Sequence, residues 1–368
     1  MSHMKWKLRS LPLFAVFAAL LLAWNIERSL ASGRSSEHDD TTTATCEAPS
    51  DDGSSSSSSS TRRTVFAPLL EKPNEFVESS RPEIQLAVRR WIPAADDDAK
   101  VVLIAHHGGC GWHSGYFDEL GKNLKESGIS LIAYDQVGSG FSDSIGGRRQ
   151  YFDSMDRLSD DLTKFVKDTR SEFPGNSVFV LGEGFGAMIA LHSILREQQQ
   201  STVADGYIMA GPAITLRQDM LPPKFVIKVV TFLAWFFPKL KMPATDLFST
   251  FDEAFGDPRW AEAGRADPFV QEAFVSAPLL GMAVSTLTAS DNIVKSMDLV
   301  DVPFFILVGT NDTCVNIPDS EKLVEIAKSN DKRLKIIDNA RHLLFHDKPD
   351  ITKEVINDII DWILARSK

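Results

Sequence analysis

Cysteine is scarce in this chain: Cys46, Cys110 and Cys314 are the only three in 368 residues. So odd and sparse a set implies no disulfide framework, even in an oxidising compartment, and the core has to stand on packing. Basic charge is also in deficit, with 39 Lys and Arg against 50 Asp and Glu, a formal charge of -11 and a pI near 5.3. That balance excludes binding to nucleic acid or anionic lipid through overall charge, which needs clustered cations. A small molecule or neutral lipid fits better, and no nucleic-acid partner is expected. Long apolar runs are missing as well. The strongest, residues 11–24, is shorter than the ~20 residues of a spanning helix. It follows Lys5, Lys7 and Arg9 and precedes Ser29-Leu30-Ala31, a small-residue cleavage site. Residues 1–31 therefore read as a signal peptide or an uncleaved signal anchor. Either one directs the protein to the secretory pathway, as an extracellular or membrane-anchored molecule.

What is present is enough for one large domain, with 43% hydrophobic residues. Residues 32–64 are Ser, Thr and Asp with an uninterrupted serine run at 54–60. Such a segment buries too little to fold and reads as a disordered linker. From 65 to 368 short apolar runs alternate with amphipathic stretches, the pattern of βα units around a mostly parallel sheet. Strands are expected near 84–92, 101–105, 129–134, 177–181, 207–210, 304–308 and 334–337, with helices near 116–127, 156–169, 187–195 and 351–365. Residues 212–299 break the alternation with apolar helical sequence, an inserted cap over the sheet edge where ligands of open α/β folds bind.

The informative stretch is Gly182-Glu183-Gly184-Phe185-Gly186, which joins an apolar strand to a helix. This is the setting of a nucleophile elbow, G-x-S-x-G, where the central side chain is exposed on a strained turn. Gly182 and Gly186 match, but the centre is Gly184. Without a hydroxyl or thiol there, the acyl-enzyme route is closed. Asp312, after the strand at 304–308, and His342, after the strand at 334–337, complete the chain order elbow, acid, histidine. The carboxylate would orient the imidazole and stabilise its protonated form. Oxyanion donors are expected from the backbone of Phe185 and of Gly109 or Cys110, in the glycine-rich loop His107-Gly108-Gly109-Cys110-Gly111. His346, one turn beyond His342, reads as a surface or capping residue, and the Glu183 side chain is expected to point away from the exposed elbow position.

These residues resemble the monoacylglycerol lipases and lysophospholipases, also grouped as serine aminopeptidase-like hydrolases. The similarity rests on the His-Gly loop ending in His113-Ser114-Gly115, on Tyr134-Asp135-Gln136-Val137-Gly138-Ser139-Gly140, on the elbow, on Asp267-Pro268, and on the segments ending in Asp312 and His342. The resemblance implies an α/β-hydrolase fold, α/β in class, with a mostly parallel central sheet and an inserted helical cap. It also implies ester hydrolysis on mono-acyl lipids without metal or other cofactor, so a lipid or other hydrophobic ester is the expected ligand. The serine is the departure that matters. In the cap, residues 224–237 are apolar except for a stripe of Lys224, Lys228 and Thr231. Such a helix is expected to bury almost its whole circumference, as a pocket wall; placed outward, it would be a lid that contacts a membrane surface.

Overall fold

The computed structural model describes residues 69–94, 100–109, 111–197, 204–215, 223–242, 251–276 and 278–367. Residues 1–31, expected to be a signal segment, residues 32–64, expected to be a linker, and Cys110 lie outside these residues.

Eight strands form one sheet in the order β1-β2-β4-β3-β5-β6-β7-β8: β1 (Glu75–Glu78), β2 (Gln85–Trp91), β3 (Val101–His106), β4 (Ile129–Tyr134), β5 (Ser177–Glu183), β6 (Gly206–Ala210), β7 (Phe304–Gly309) and β8 (Lys332–Ile337). Pairing is antiparallel for β1 with β2 and β2 with β4, and parallel from β4 through β8. Every residue of β3 to β7 is buried, which explains why these strands are continuous apolar runs: helices cover both faces.

Helices α1 (Asp118–Glu126) and α9 (Pro349–Leu364) pack on one face, where Leu103, Leu181 and Phe305 meet Leu120 and Trp362. On the other face α2 (Met155–Glu172) and α3 (Phe185–Glu197) cover Ile104, Val180 and Ile306. A further helix, α8 (Ile317–Ile326), follows β7. The chain leaves β3 toward β4 and returns to β5 on the other side, so β3 and β5 flank the point where strand order reverses, where loops diverge and a crevice opens.

The cap is helical among the described residues: α4 (Lys224–Phe236), α5 (Pro258–Ala266), α6 (Pro268–Val275) and α7 (Leu280–Ser296). Two Asp-Pro pairs start α5 and α6. Asp257 and Asp267 accept the N–H groups of Arg259 and Phe269, and each proline takes the first helical position, where its missing N–H is no loss. The end of the cap rests on the body: the N–H of Met155 donates to Ser285 Oγ at 2.9 Å, and Ser290 Oγ donates to the Ile214 carbonyl at 2.8 Å.

Helix α4 corrects the expectation of all-round burial. Val226, Val230 and Ala234 pack with Leu280 of α7. Trp235 is 79% exposed, and Phe225, Phe232, Phe236 and Phe237 are also exposed. One apolar stripe satisfies the packing of α4, because among the described residues its neighbour α7 covers only one side of it.

Candidate active site

The sheet register assembles the site. His106 lies opposite Gly182, which sets the His-Gly loop beside the elbow, and Gly309 lies opposite Ile337, which sets the Asp312 loop beside the His342 loop. At the elbow, a side chain on Gly186 would meet the His106 carbonyl at 2.2 Å, and one on Gly182 would meet Ala187 Cα at 2.5 Å. Strand, helix and neighbouring loop are therefore in backbone contact. Gly184 between them has φ +53, the left-handed region that a side chain enters at a cost of ~1 kcal/mol or more.

A Cβ at position 184 would stand 3.2 Å from His342 Nε2. On its other side the imidazole donates from Nδ1 to Asp312 Oδ2 at 2.8 Å, since an ionised carboxylate only accepts. Asp312 is itself held, because its Oδ1 accepts the N–H groups of Cys314 at 2.8 Å and Val315 at 3.1 Å. The Asp312 side chain is fully buried and that of His342 is 14% exposed. Burial works against the charged imidazole, but the charge and hydrogen bond of Asp312, with a further contribution from Glu183, hold its proton affinity above the usual histidine range. Nε2 is thus the basic nitrogen, and it faces position 184. This arrangement can take a proton from a hydroxyl or a water placed there.

Phe185 opens α3, so its N–H has no carbonyl one turn earlier. Gly109 lies alongside: a side chain on it would meet Phe185 Cβ at 3.6 Å. The two expected donor positions are therefore adjacent.

Three features of the site lie in contacts that sequence spacing does not give. His107 accepts the N–H of Gln136 at Nε2, 2.9 Å, and its Nδ1 donates to the Gly108 carbonyl at 2.7 Å, fixing the glycine loop; burial lowers its pKa to about 4, which keeps it neutral. His113 and Asp267 join loop to cap through a fully buried contact of 2.9 Å. The His113 Nδ1 accepts the Gly115 N–H, so Nε2 donates to Asp267, which also accepts from the Tyr116 hydroxyl. Glu183 is buried beneath the elbow with Oε1 lacking a hydrogen-bond partner, and burial pushes its pKa up to about 7.

His346 departs from the sequence reading. It is buried, stacks on Trp112, meets Trp260 edge-on, and bonds the Tyr116 carbonyl through Nε2 at 3.0 Å. It turns inward because the short helical turn at 344–346 packs between Trp112 and residues 254–260 of the cap.

Among the described residues one cluster has mixed metal-ligand chemistry: donor atoms of Asp312, Cys314 and His342 all lie within 4.8 Å of one another.

The chain is similar to several known proteins. Monoglyceride lipase from Rattus norvegicus is 26% identical over 281 residues, 76% of this chain and 87% of that protein. Caffeoylshikimate esterase from Arabidopsis thaliana is 26% identical over 296 residues, 78% of this chain and 84% of that one. Among solved structures, a soluble variant of the Saccharomyces cerevisiae monoglyceride lipase, in complex with a substrate analogue, superposes with a TM-score of 0.69 at 20% identity, over 81% of this chain and 97% of the other. The family model for serine aminopeptidase, S33, matches residues 96–349, and this chain belongs to that family of α/β-hydrolases.

Proposed function

We propose that the protein receives mono-acyl lipid esters in a monoacylglycerol lipase-like site, and that turnover is impaired because Gly184 stands at the nucleophile position. One observation carries this reading: His342, backed by Asp312, presents Nε2 at 3.2 Å from the place where a side chain at 184 would begin. In this reading Phe185 and Gly109 or Cys110 supply the oxyanion donors. With serine at 184, Nε2 takes the hydroxyl proton, Oγ attacks the ester carbonyl, and the imidazolium returns the proton to the leaving alcohol. With glycine, the remaining route is direct attack by a water that Nε2 deprotonates, a slow reaction supported by the oxyanion donors and binding alone.

The exposed aromatics of α4 support contact with a lipid surface. Residues 223–242 hold four lysines and no Asp or Glu, within a chain of net charge -11. The cap is thus locally cationic as well as aromatic, the combination that favours an interface of headgroups and acyl chains. The N-terminal segment supports a secretory or membrane-anchored location. A second reading, a non-catalytic binder of a hydrophobic acyl ligand or a protein partner, is favoured by Gly184 itself.

The deciding experiment measures hydrolysis of a monoacylglycerol and of a short-chain aryl ester by the full chain and by Gly184→Ser. Turnover by the serine variant alone establishes a preserved ester site and a native protein that binds more than it cleaves. Turnover by both establishes water attack through His342. Silence from both, in folded protein, overturns the ester-site reading.

A further inference from the structure

We propose that Asp312, Cys314 and His342 form a site for a borderline-soft divalent cation, zinc in preference to magnesium or calcium, whose occupation withdraws His342 from proton transfer. The cation site goes beyond the ester-site reading and is tested in the protein as it stands; only the withdrawal of His342 from proton transfer rests on that reading.

The argument begins with donor chemistry. A carboxylate, a thiol and an imidazole bring O, S and N ligands together, and the sulfur selects zinc-like ions over hard oxygen-seeking ones. Their donor atoms lie within 4.8 Å of one another. A tetrahedral zinc with bonds of about 2.0–2.3 Å sets its ligands roughly 3.4–3.6 Å apart, so the longest of these separations must shorten by about 1 Å. His342 Nδ1 and Asp312 Oδ2, now hydrogen-bonded at 2.8 Å, must instead part by about half an ångström as their shared proton gives way to the cation.

The backbone makes the set possible. Asp312 and Cys314 stand two apart on the loop after β7, and His342 comes from the parallel neighbour β8, whose register with β7 holds through Gly309 and Ile337. The N–H groups of Cys314 and Val315 occupy Asp312 Oδ1, which leaves Oδ2 as the oxygen turned toward the cluster. Support of this kind from outside the ligand set orients ligands before a metal arrives. The charges also close: carboxylate plus thiolate balance a dication, and a neutral imidazole adds none, so the cation enters a largely buried place without leaving net charge there. Three protein ligands leave a fourth position for water.

A cation on this set takes an imidazole nitrogen that proton transfer requires. If it takes Nδ1, it replaces the proton shared with Asp312; if it takes Nε2, it blocks the nitrogen that faces position 184. In both cases the Asp312–His342 pair no longer acts as a base.

The test titrates the full chain with cobalt(II) as a spectroscopic substitute for zinc, then with zinc by calorimetry, with magnesium and calcium as controls. The expected result is one equivalent of cobalt with thiolate charge-transfer absorption in the near ultraviolet, displaced by zinc and untouched by magnesium or calcium. Cys314→Ser and Cys314→Ala should abolish that absorption and weaken zinc binding at least about tenfold, with the metal-free circular dichroism unchanged. Cobalt or zinc binding that survives both substitutions unaltered overturns the site. Should either variant fail to fold, X-ray absorption of the zinc-loaded parent decides: a sulfur neighbour at zinc supports the site, and a shell of N and O alone overturns it. In Gly184→Ser, zinc should inhibit ester hydrolysis and Cys314→Ala should relieve the inhibition; zinc that binds without inhibiting overturns the switch.

Discussion

The floor of the site and its cap are built on different terms. On the floor, each polar group that faces the reacting position is fixed by at least one other: Asp312 by two backbone N–H groups, His342 by Asp312, the glycine loop by His107 and Gln136. The cap is tied down in its middle, where Ala254 and Asp257 bond the backbone of Leu343 and His346, and is freer in α4. Its buried polar link to the loop is His113 with Asp267, its last helix leans on Met155 and Ile214, and α4 turns aromatic rings to solvent. Order on the floor is set by hydrogen bonds to backbone, which change little with what binds. Order in α4 is set by one apolar seam against α7, which leaves a face available for contact. The difference locates chemistry on the floor and access in the cap.

The largest effect expected tests the floor. In a Gly184→Ser protein with esterase activity, His342→Ala should lower kcat/KM about 10⁴-fold or more, while an α4 substitution such as Trp235→Ser should leave hydrolysis of a soluble short-chain ester near its parent value. Equal losses from both would erase the division. Next comes the tie between the regions. His113→Ala leaves buried Asp267 with one donor fewer, and chemical denaturation should show a loss of about 1.5–3 kcal/mol. A loss below about 1 kcal/mol would mean the cap does not depend on that contact.

Glu183 sharpens the comparison from beneath. Burial pushes its pKa up to about 7 in the folded chain, against about 4.5 for a glutamate in water. Between those values the native state binds more protons than the unfolded one, so the stability linked to this group is present below about 4.5 and is lost as pH rises through 7. Glu183→Gln should therefore gain over the parent between pH 5 and pH 8, by at most about 3 kcal/mol, read as a difference in Tm that widens with pH. A difference that stays flat would show that the burial of Glu183 costs nothing on ionisation. The smallest expected effect lies on the cap surface: Trp235→Ser should change stability by no more than about 0.5 kcal/mol, yet lower partition onto anionic vesicles. Unchanged partition would remove α4 from lipid contact.

The parallel strands were legible because both of their faces are covered, and a run such as Val101-Val102-Leu103-Ile104-Ala105 has no exposed position to interrupt it. Strand β1 was not, since four residues with alternate positions exposed give too short a pattern. Helix α8 has apolar residues at 317, 323, 324 and 326, too few for a firm period. At the site, chain order led to Asp312 and His342, and the glycines led to the elbow. His113 with Asp267 is a contact across 154 positions between two elements whose approach no local spacing encodes. His346 and α4 failed in opposite directions for one reason: burial belongs to the neighbour as much as to the helix, and a single sequence names only one of the two.

The hydrogen bonds that Asp312 accepts from Cys314 and Val315 bear on the history of the site. They brace the turn between β7 and α8 whether or not anything is hydrolysed, so the architecture itself gives selection a reason to keep this carboxylate. Its survival therefore cannot date the loss of a nucleophile. His342 is the better clock: the bond of its imidazole to Asp312 braces no turn of its own, so lineages in which the elbow has long lacked a hydroxyl should let the histidine drift before the aspartate.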